Sequence, residues 1–292
     1  MKSILSLCTK TKKLSQQKDW PSFIYIGDCG VDLVNNHPTA GGCALNVSYY
    51  LHQLNQKVDV LTWLGNDSKT NVPLNILHKI KADPVGIHHL PGQTPTQHIE
   101  VQTNGEKRFI KYEEGVLAKP KLTVLDIAFV KQHQILITLY YSQITHLFEQ
   151  ASKINFDGIK VIDFMNTADF NSDPDFIKKY LNWLDIGVFG LDKHQDKFIE
   201  TLKIMAKKYH KLFIITLGEE GSKVFWGDKE FYQPTQATKV ADTTGCGDAF
   251  LAGFLSEFIK SQNIDQAMQL GSKMAAKTSQ FVGAMPENKS NN

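Results

Sequence analysis

Asp242-Thr243-Thr244-Gly245-Cys246-Gly247-Asp248-Ala249-Phe250, running on into Leu251-Ala252-Gly253-Phe254-Leu255, sets two glycines and a carboxylate at the mouth of an apolar helix. Glycines let a backbone approach a ligand closely, and successive amide N–H groups at a helix start concentrate positive partial charge on an anion. Asp248 falls one residue past the turn, within reach of an attacking hydroxyl's proton while the amides hold a phosphoryl group. A strand, a glycine turn and a helix cap would leave the same local trace. Two familiar nucleotide-binding patterns are excluded. Phe250 stands where the third glycine of Gly-x-Gly-x-x-Gly is required, and no Gly-x-x-x-x-Gly-Lys followed by Ser or Thr occurs.

Upstream, Gly41-Gly42-Cys43-Ala44-Leu45-Asn46-Val47-Ser48 forms a second glycine-led segment. The two stretches, in this order and about 200 residues apart, resemble the two signatures of the PfkB, or ribokinase-like, sugar kinases. Cys246 takes the place usually held by a small residue such as Ala. The resemblance runs from roughly Phe23 to Ala284 and implies a mostly parallel sheet with helices on both faces and a small β-sheet lid. It places the kinase domain at 23–286, with lid strands within about 96–113, an N-terminal tail or extension at 1–22 and a C-terminal tail at 287–292.

Length and composition agree. A chain of 292 residues is long enough to bury about three quarters of its unfolded surface in one large α/β domain. A net charge of +2 favours neither nucleic acid nor a membrane surface, and no apolar run approaches the roughly 18 residues that span a bilayer. Cys8, Cys29, Cys43 and Cys246 are scattered, as expected of reduced thiols in a cytoplasmic protein. His88-His89, just before Pro91-Gly92, reads as a surface loop.

Phe23 to Gly27 reads as a buried strand delivering Asp28 at its end, followed by helical spacing over Val47 to Leu54 and a strand over Val58 to Leu64. Apolar runs at Ile135–Leu139, Lys160–Phe164, Ile186–Phe189 and Leu212–Leu217, separated by helix-length segments, argue for a parallel sheet. Thr96 to Tyr112 alternates around Asn104-Gly105, a hairpin signal that fits either a lid or an edge hairpin. Ligands of such sheets lie beyond the carboxyl ends of the strands.

The resemblance also implies roles. Asp248 is the catalytic base, and Gly245, Cys246 and Gly247 supply the anion hole. Asp28, Asp32, Gly41, Gly42 and Asn46 face the sugar, and Arg108 reaches it from the lid or pairs with a surface acid. Thr216, Gly218, Gly221 and Ser272 are assigned to ATP, and Asp242 and Thr244 to a monovalent cation such as potassium. Magnesium is expected with ATP, yet the family's Asn-x-x-Glu is missing near Val188 to Asp196, where Gly190-Leu191-Asp192-Lys193 stands. Asp192 or Asp196 can substitute, or simply begin a helix. The resemblance is greatest toward the fructoselysine kinase branch, through Thr94-Pro95-Thr96-Gln97, Glu114-Gly115-Val116, Ala275-Ala276-Lys277-Thr278 and Gly283-Ala284. A ketose-like sugar or fructosamine is thereby implied as substrate, with ribose, fructose and nucleosides as alternatives, and a homodimer through the lid as a further expectation. A non-catalytic sugar sensor of the same fold is the competing class, against which Asp248 argues.

Overall fold

The computed structural model describes residues 2–15, 21–101, 107–191 and 194–286. In chain order, α1 (Lys2–Ser15) is followed by β1 (Ser22–Ile26), β2 (Gly30–Val34), β3 (His37–Gly41), α2 (Cys43–Gln53), β4 (Lys57–Leu64), α3 (Asn71–Lys79), β5 (Ile87–His89), β6 (Thr96–Val101) and β7 (Lys107–Glu113). Then come α4 (Val124–Val130), β8 (Ile135–Leu139), α5 (Thr145–Ala151), β9 (Ile159–Asp163), α6 (Asp175–Lys178), β10 (Ile186–Gly190) and α7 (Asp196–Tyr209). The chain closes with β11 (Leu212–Thr216), β12 (Ser222–Trp226), β13 (Lys229–Gln233), α8 (Cys246–Ser261) and α9 (Ile264–Thr278).

Nine strands form one sheet in the order β13-β12-β11-β10-β9-β8-β1-β4-β5. Every pairing from β5 to β11 is parallel, and β12 and β13 add an antiparallel edge. β1 and β8 are buried at every position, which is why their sequences read as unbroken apolar runs. The pleat sends successive side chains to opposite faces. Ile186, Val188, Leu212 and Ile214 pack in the layer that contains Leu45, Phe254 and Met268 of α2, α8 and α9. Phe189, Phe213 and Ile215 pack in the other, with Phe148, Ile177 and Leu202 of α5, α6 and α7.

A separate sheet has the order β3-β2-β6-β7. The expected hairpin is present as β6 and β7, and its Asn104-Gly105 turn lies outside the described residues. Two further strands join it. β2 pairs antiparallel with β3 and parallel with β6, so the small sheet draws on both sides of the Gly41–Ser48 segment.

The N-terminal extension contains a docked helix. Leu7 and Leu14 of α1 are buried, and Lys10 donates to Asp185 at 2.8 Å and to the Gly158 carbonyl at 3.0 Å. The segment 287–292 lies outside the described residues. His88 departs from the loop expectation. It lies in β5, stacks on Trp63 and meets the Asp126 carboxylate at 2.7 Å. The four cysteines are unpaired, and no helix among the described residues is long and apolar enough to cross a membrane.

Candidate active site

Beyond the carboxyl ends of the parallel strands lies a cleft of about 920 Å³. The large sheet contributes Asp28 just past β1, Asp163 at the end of β9, Gly190 of β10 and Thr216 of β11. The small sheet faces them with Asp32 of β2, Gln97 of β6, and Phe109 and Tyr112 of β7. The cleft's remaining wall includes the start of α2 and the 240–248 segment leading into α8.

Both helix starts are built for close approach. Gly245 caps α8 at φ +74° and no side chain caps the first turn; the Cys246 amide donates to the Thr243 carbonyl at 3.2 Å, and the N–H groups of Gly247 and Asp248 are left for an anion. A Cβ on Gly245 would lie 2.7 Å from that of Ala284, whereas one on Gly247 would meet nothing within 4 Å. Gly42 caps α2 at φ +100° with its missing Cβ 2.5 Å from the Asp28 carbonyl. Asp28 serves this turn as well, since its Oδ1 accepts from the Cys43 amide at 3.1 Å.

Asp248 accepts the Asn46 side-chain amide at 2.8 Å. Burial pushes the Asp248 carboxyl up to about 8, with the charges of Asp163 and Asp28 adding to the rise and hydrogen bonds from Asn46 and Cys43 opposing it. Burial also raises Asp163 to about 6, helped by Asp28 and opposed by the Met165 amide. Asp28 rises to about 6 through burial, against the hydrogen bonds of its own, Ala44 and Cys43 amides. A base whose pKa lies near neutrality is matched to taking a proton from an alcohol.

The remaining residues singled out from sequence divide. Asp28, Asp32, Gly42, Asn46, Thr216, Asp242, Thr244, Gly245, Gly247 and Asp248 line the cleft. Gly41 stands behind Asp32: its missing Cβ would fall 2.3 Å from the Asp32 carboxyl carbon, so glycine makes room for that carboxylate. Cys246 begins α8 but turns its thiol toward the Ala275 carbonyl at 3.5 Å. Gly218 and Gly221 bracket the turn after β11, outside the lining. Ser272 is buried on α9 with its hydroxyl 3.5 Å from the Pro234 carbonyl. Arg108 is exposed on β7 and does not line the cleft, where Phe109 and Tyr112 stand instead.

Asp242 ties its own loop to the segment after α9. Its Oδ1 accepts the Thr244 amide and hydroxyl at 2.9 and 2.8 Å, and its Oδ2 the Gly283 amide at 2.6 Å. Asp192 lies outside the described residues, and Asp196 is an exposed helix start. Among the described residues no group of three or more His, Cys, Asp or Glu side chains is placed to hold a metal ion. Asp163 escaped the sequence reading, although a carboxylate closing a buried parallel strand was its signal, as it was for Asp28.

These features are those of a carbohydrate kinase, and comparison agrees. Residues 26–291 match the model of the pfkB family carbohydrate kinases, and the chain belongs to that family. It is a phosphotransferase. Similar relatives include the fructosamine kinase FrlD of Bacillus subtilis (strain 168), 27% identical over 267 residues, covering 89% of this chain and 92% of the relative. The fructoselysine 6-kinase of Escherichia coli (strain K12) is 28% identical over 262 residues, covering 89% and 97%. The crystal structure of a ribokinase from Thermotoga maritima superposes with a TM-score of 0.74 at 21% identity, covering 91% of this chain and 96% of that one, which establishes the ribokinase-like fold.

Proposed function

We propose that the protein transfers the γ-phosphate of ATP to a primary hydroxyl of a ketose-like sugar or fructosamine. The observation that carries this reading is Asp248, a carboxylate raised by burial to about 8, at the uncapped start of α8 and in contact with Asn46 of the other signature. The acceptor hydroxyl gives its proton to Asp248 as its oxygen attacks the γ-phosphorus. The bond to the β-phosphate oxygen breaks, ADP leaves, and the first-turn amides stabilise charge on the phosphoryl group in flight. Catalysis of this kind is positioning and electrostatics.

Asp32, Asp28 and Asn46 hold the acceptor, and Thr216 with the turn through Gly218 and Gly221 borders the nucleotide. Magnesium enters with ATP as the counter-ion of its phosphates, a role consistent with a divalent ion that keeps several waters and needs no protein cage. A potassium ion, if used, belongs near the Asp242–Thr244 turn. The small sheet is also the surface we assign to a homodimer, and the free thiols fit a cytoplasmic setting.

Support for fructosamines over other acceptors comes from the two relatives named above, which match nearly their whole lengths. The test is an ATP-consumption screen over fructosamines, free ketoses, ribose and nucleosides. Turnover of fructosamines or ketoses is expected. Efficient turnover of a nucleoside with those acceptors inert would overturn the substrate assignment and leave the kinase standing, whereas sugar binding without any transfer would point to a sensor.

A further inference from the structure

We infer that Asp163 is the counter-ion for a positively charged acceptor, an amino sugar whose ammonium faces the end of β9 while its primary hydroxyl faces Asp248. This rests on the kinase reading and specifies the charge of the substrate at that same site.

The described lining of the cleft contains Asp28, Asp32, Asp163, Asp242 and Asp248, and no Lys, Arg or His. Asp28, Asp163 and Asp248 form no ion pair with any described residue, and their protein partners are amide donors and, for Asp248, the Cys43 thiol. Amides and thiols satisfy hydrogen-bonding capacity without neutralising charge: burial raises all three carboxyls, the charge of Asp28 raises Asp163 further, and the charges of Asp163 and Asp28 raise Asp248 further.

An independent observation points to a ligand rich in donors. Asn46 is only 5% exposed and lines the cleft, yet its Oδ1 has no partner. Buried acceptors are seldom left so, and an N–H or O–H from the substrate would satisfy it. Tyr112 and Tyr141 also line the cleft, packed edge to face with ring centroids 5.1 Å apart, and aromatic faces attract cations.

Among the three carboxylates Asp163 is the one with capacity to spare. Asp28 caps α2, and Asp248 is bound by Asn46 and committed to the hydroxyl. Asp163 gives one oxygen to the Met165 amide at 2.8 Å, within its own turn. The same charge pattern disfavours anionic acceptors such as sugar phosphates and aldonates.

The test compares acceptors that share a free 6-hydroxyl and differ at C1: an N-alkyl 1-amino-1-deoxyfructose, its neutral N-acetyl derivative, fructose, and the anionic fructose 1-phosphate. With wild-type protein, kcat/KM is expected to fall in the order cation, neutral, anion, with the cation ahead of its N-acetyl form by about 10- to 100-fold, the range for one charge-assisted hydrogen bond. Asp163→Asn keeps the Met165 contact and should shrink the cation-to-neutral ratio at least tenfold, chiefly through KM. Equal or better turnover of the neutral acceptors by wild type would overturn the inference, and so would an unchanged ratio in Asp163→Asn. If no acceptor were phosphorylated, the kinase reading would fail by itself. Calorimetric binding of the same four compounds would then decide the role of Asp163, tighter binding of the cation supporting it and equal binding refuting it.

Discussion

Asn46 donates its side-chain amide to Asp248 at 2.8 Å across 202 residues of chain, tying the start of α2 to the start of α8. On the proposed reading, the residue that faces the acceptor thereby also orients the base. Asp248→Asn keeps the size of the side chain while removing the base, so kcat should fall by about two to four orders of magnitude. Nucleotide affinity, measured by calorimetry, should survive because the first-turn amides remain. Turnover near wild type would remove Asp248 from its role.

The Asn46 contact favours the ionised form of Asp248, whose pKa lies at about 8. As a base must be deprotonated, kcat/KM should rise with pH along a limb that levels off above about 8, reporting the coupled carboxylates of the free enzyme. Asn46→Ala removes a hydrogen bond to the carboxylate and should move that limb to higher pH. A limb that stayed in place or moved down would contradict the contact's electrostatic role.

Stability carries the same signature with opposite consequence. The unfolded chain titrates Asp248 near the ordinary value of about 4, whereas the folded state holds the proton to about 8. Between these values the folded state binds more protons than the unfolded state, so this group's contribution to stability declines as pH rises through the window. Asp248→Asn abolishes that slope. Its melting temperature should exceed that of wild type by a margin that grows from about pH 4 to pH 8 and then stays constant. A variant that melted below wild type at pH 9 would show that the carboxylate is not strained by burial.

How much of this was legible in the sequence follows from how local each feature is. Gly245 to Asp248 and Gly41 to Asn46 could be read because helix starts and positive φ are written in adjacent residues, and β1 and β8 because strands buried on both faces are continuously apolar. β2 and β3 were not seen. Gly30–Val34 is only partly buried and His37–Gly41 contains Pro38, so neither carries an apolar period, and only pairing such as Asp32 opposite Thr39 defines them. Asp163 was likewise one carboxylate among many until the register of β8, β9 and β10 brought it to the cleft.

The two glycines of the α8 start should separate folding from chemistry. Gly245→Ala places a side chain at φ +74° with its Cβ 2.7 Å from that of Ala284, and should cost about 1–3 kcal/mol of stability in denaturant titration. Gly247→Ala meets no protein atom within 4 Å, so it should fold as well as wild type. Its methyl group borders the first-turn amides, and kcat/KM should drop at least tenfold. Equal losses of stability in both variants would mean that Gly247 is there for packing.

Gly41 is a second case in which an absent side chain serves a neighbour. It pairs with Gly30 across β2 and β3, and a Cβ there would lie 2.3 to 2.5 Å from the three carboxyl atoms of Asp32. Because those atoms end a side chain that can rotate, Gly41→Ala should displace the Asp32 carboxylate at little cost to folding. Losing a hydrogen bond to a charged group should raise KM for the acceptor about 10- to 100-fold. The nucleotide, which we assign to the Thr216 end of the cleft, should keep its KM. Steady-state kinetics with each substrate varied in turn would show the split, and an unchanged acceptor KM in a folded variant would mean that Asp32 does not hold the sugar.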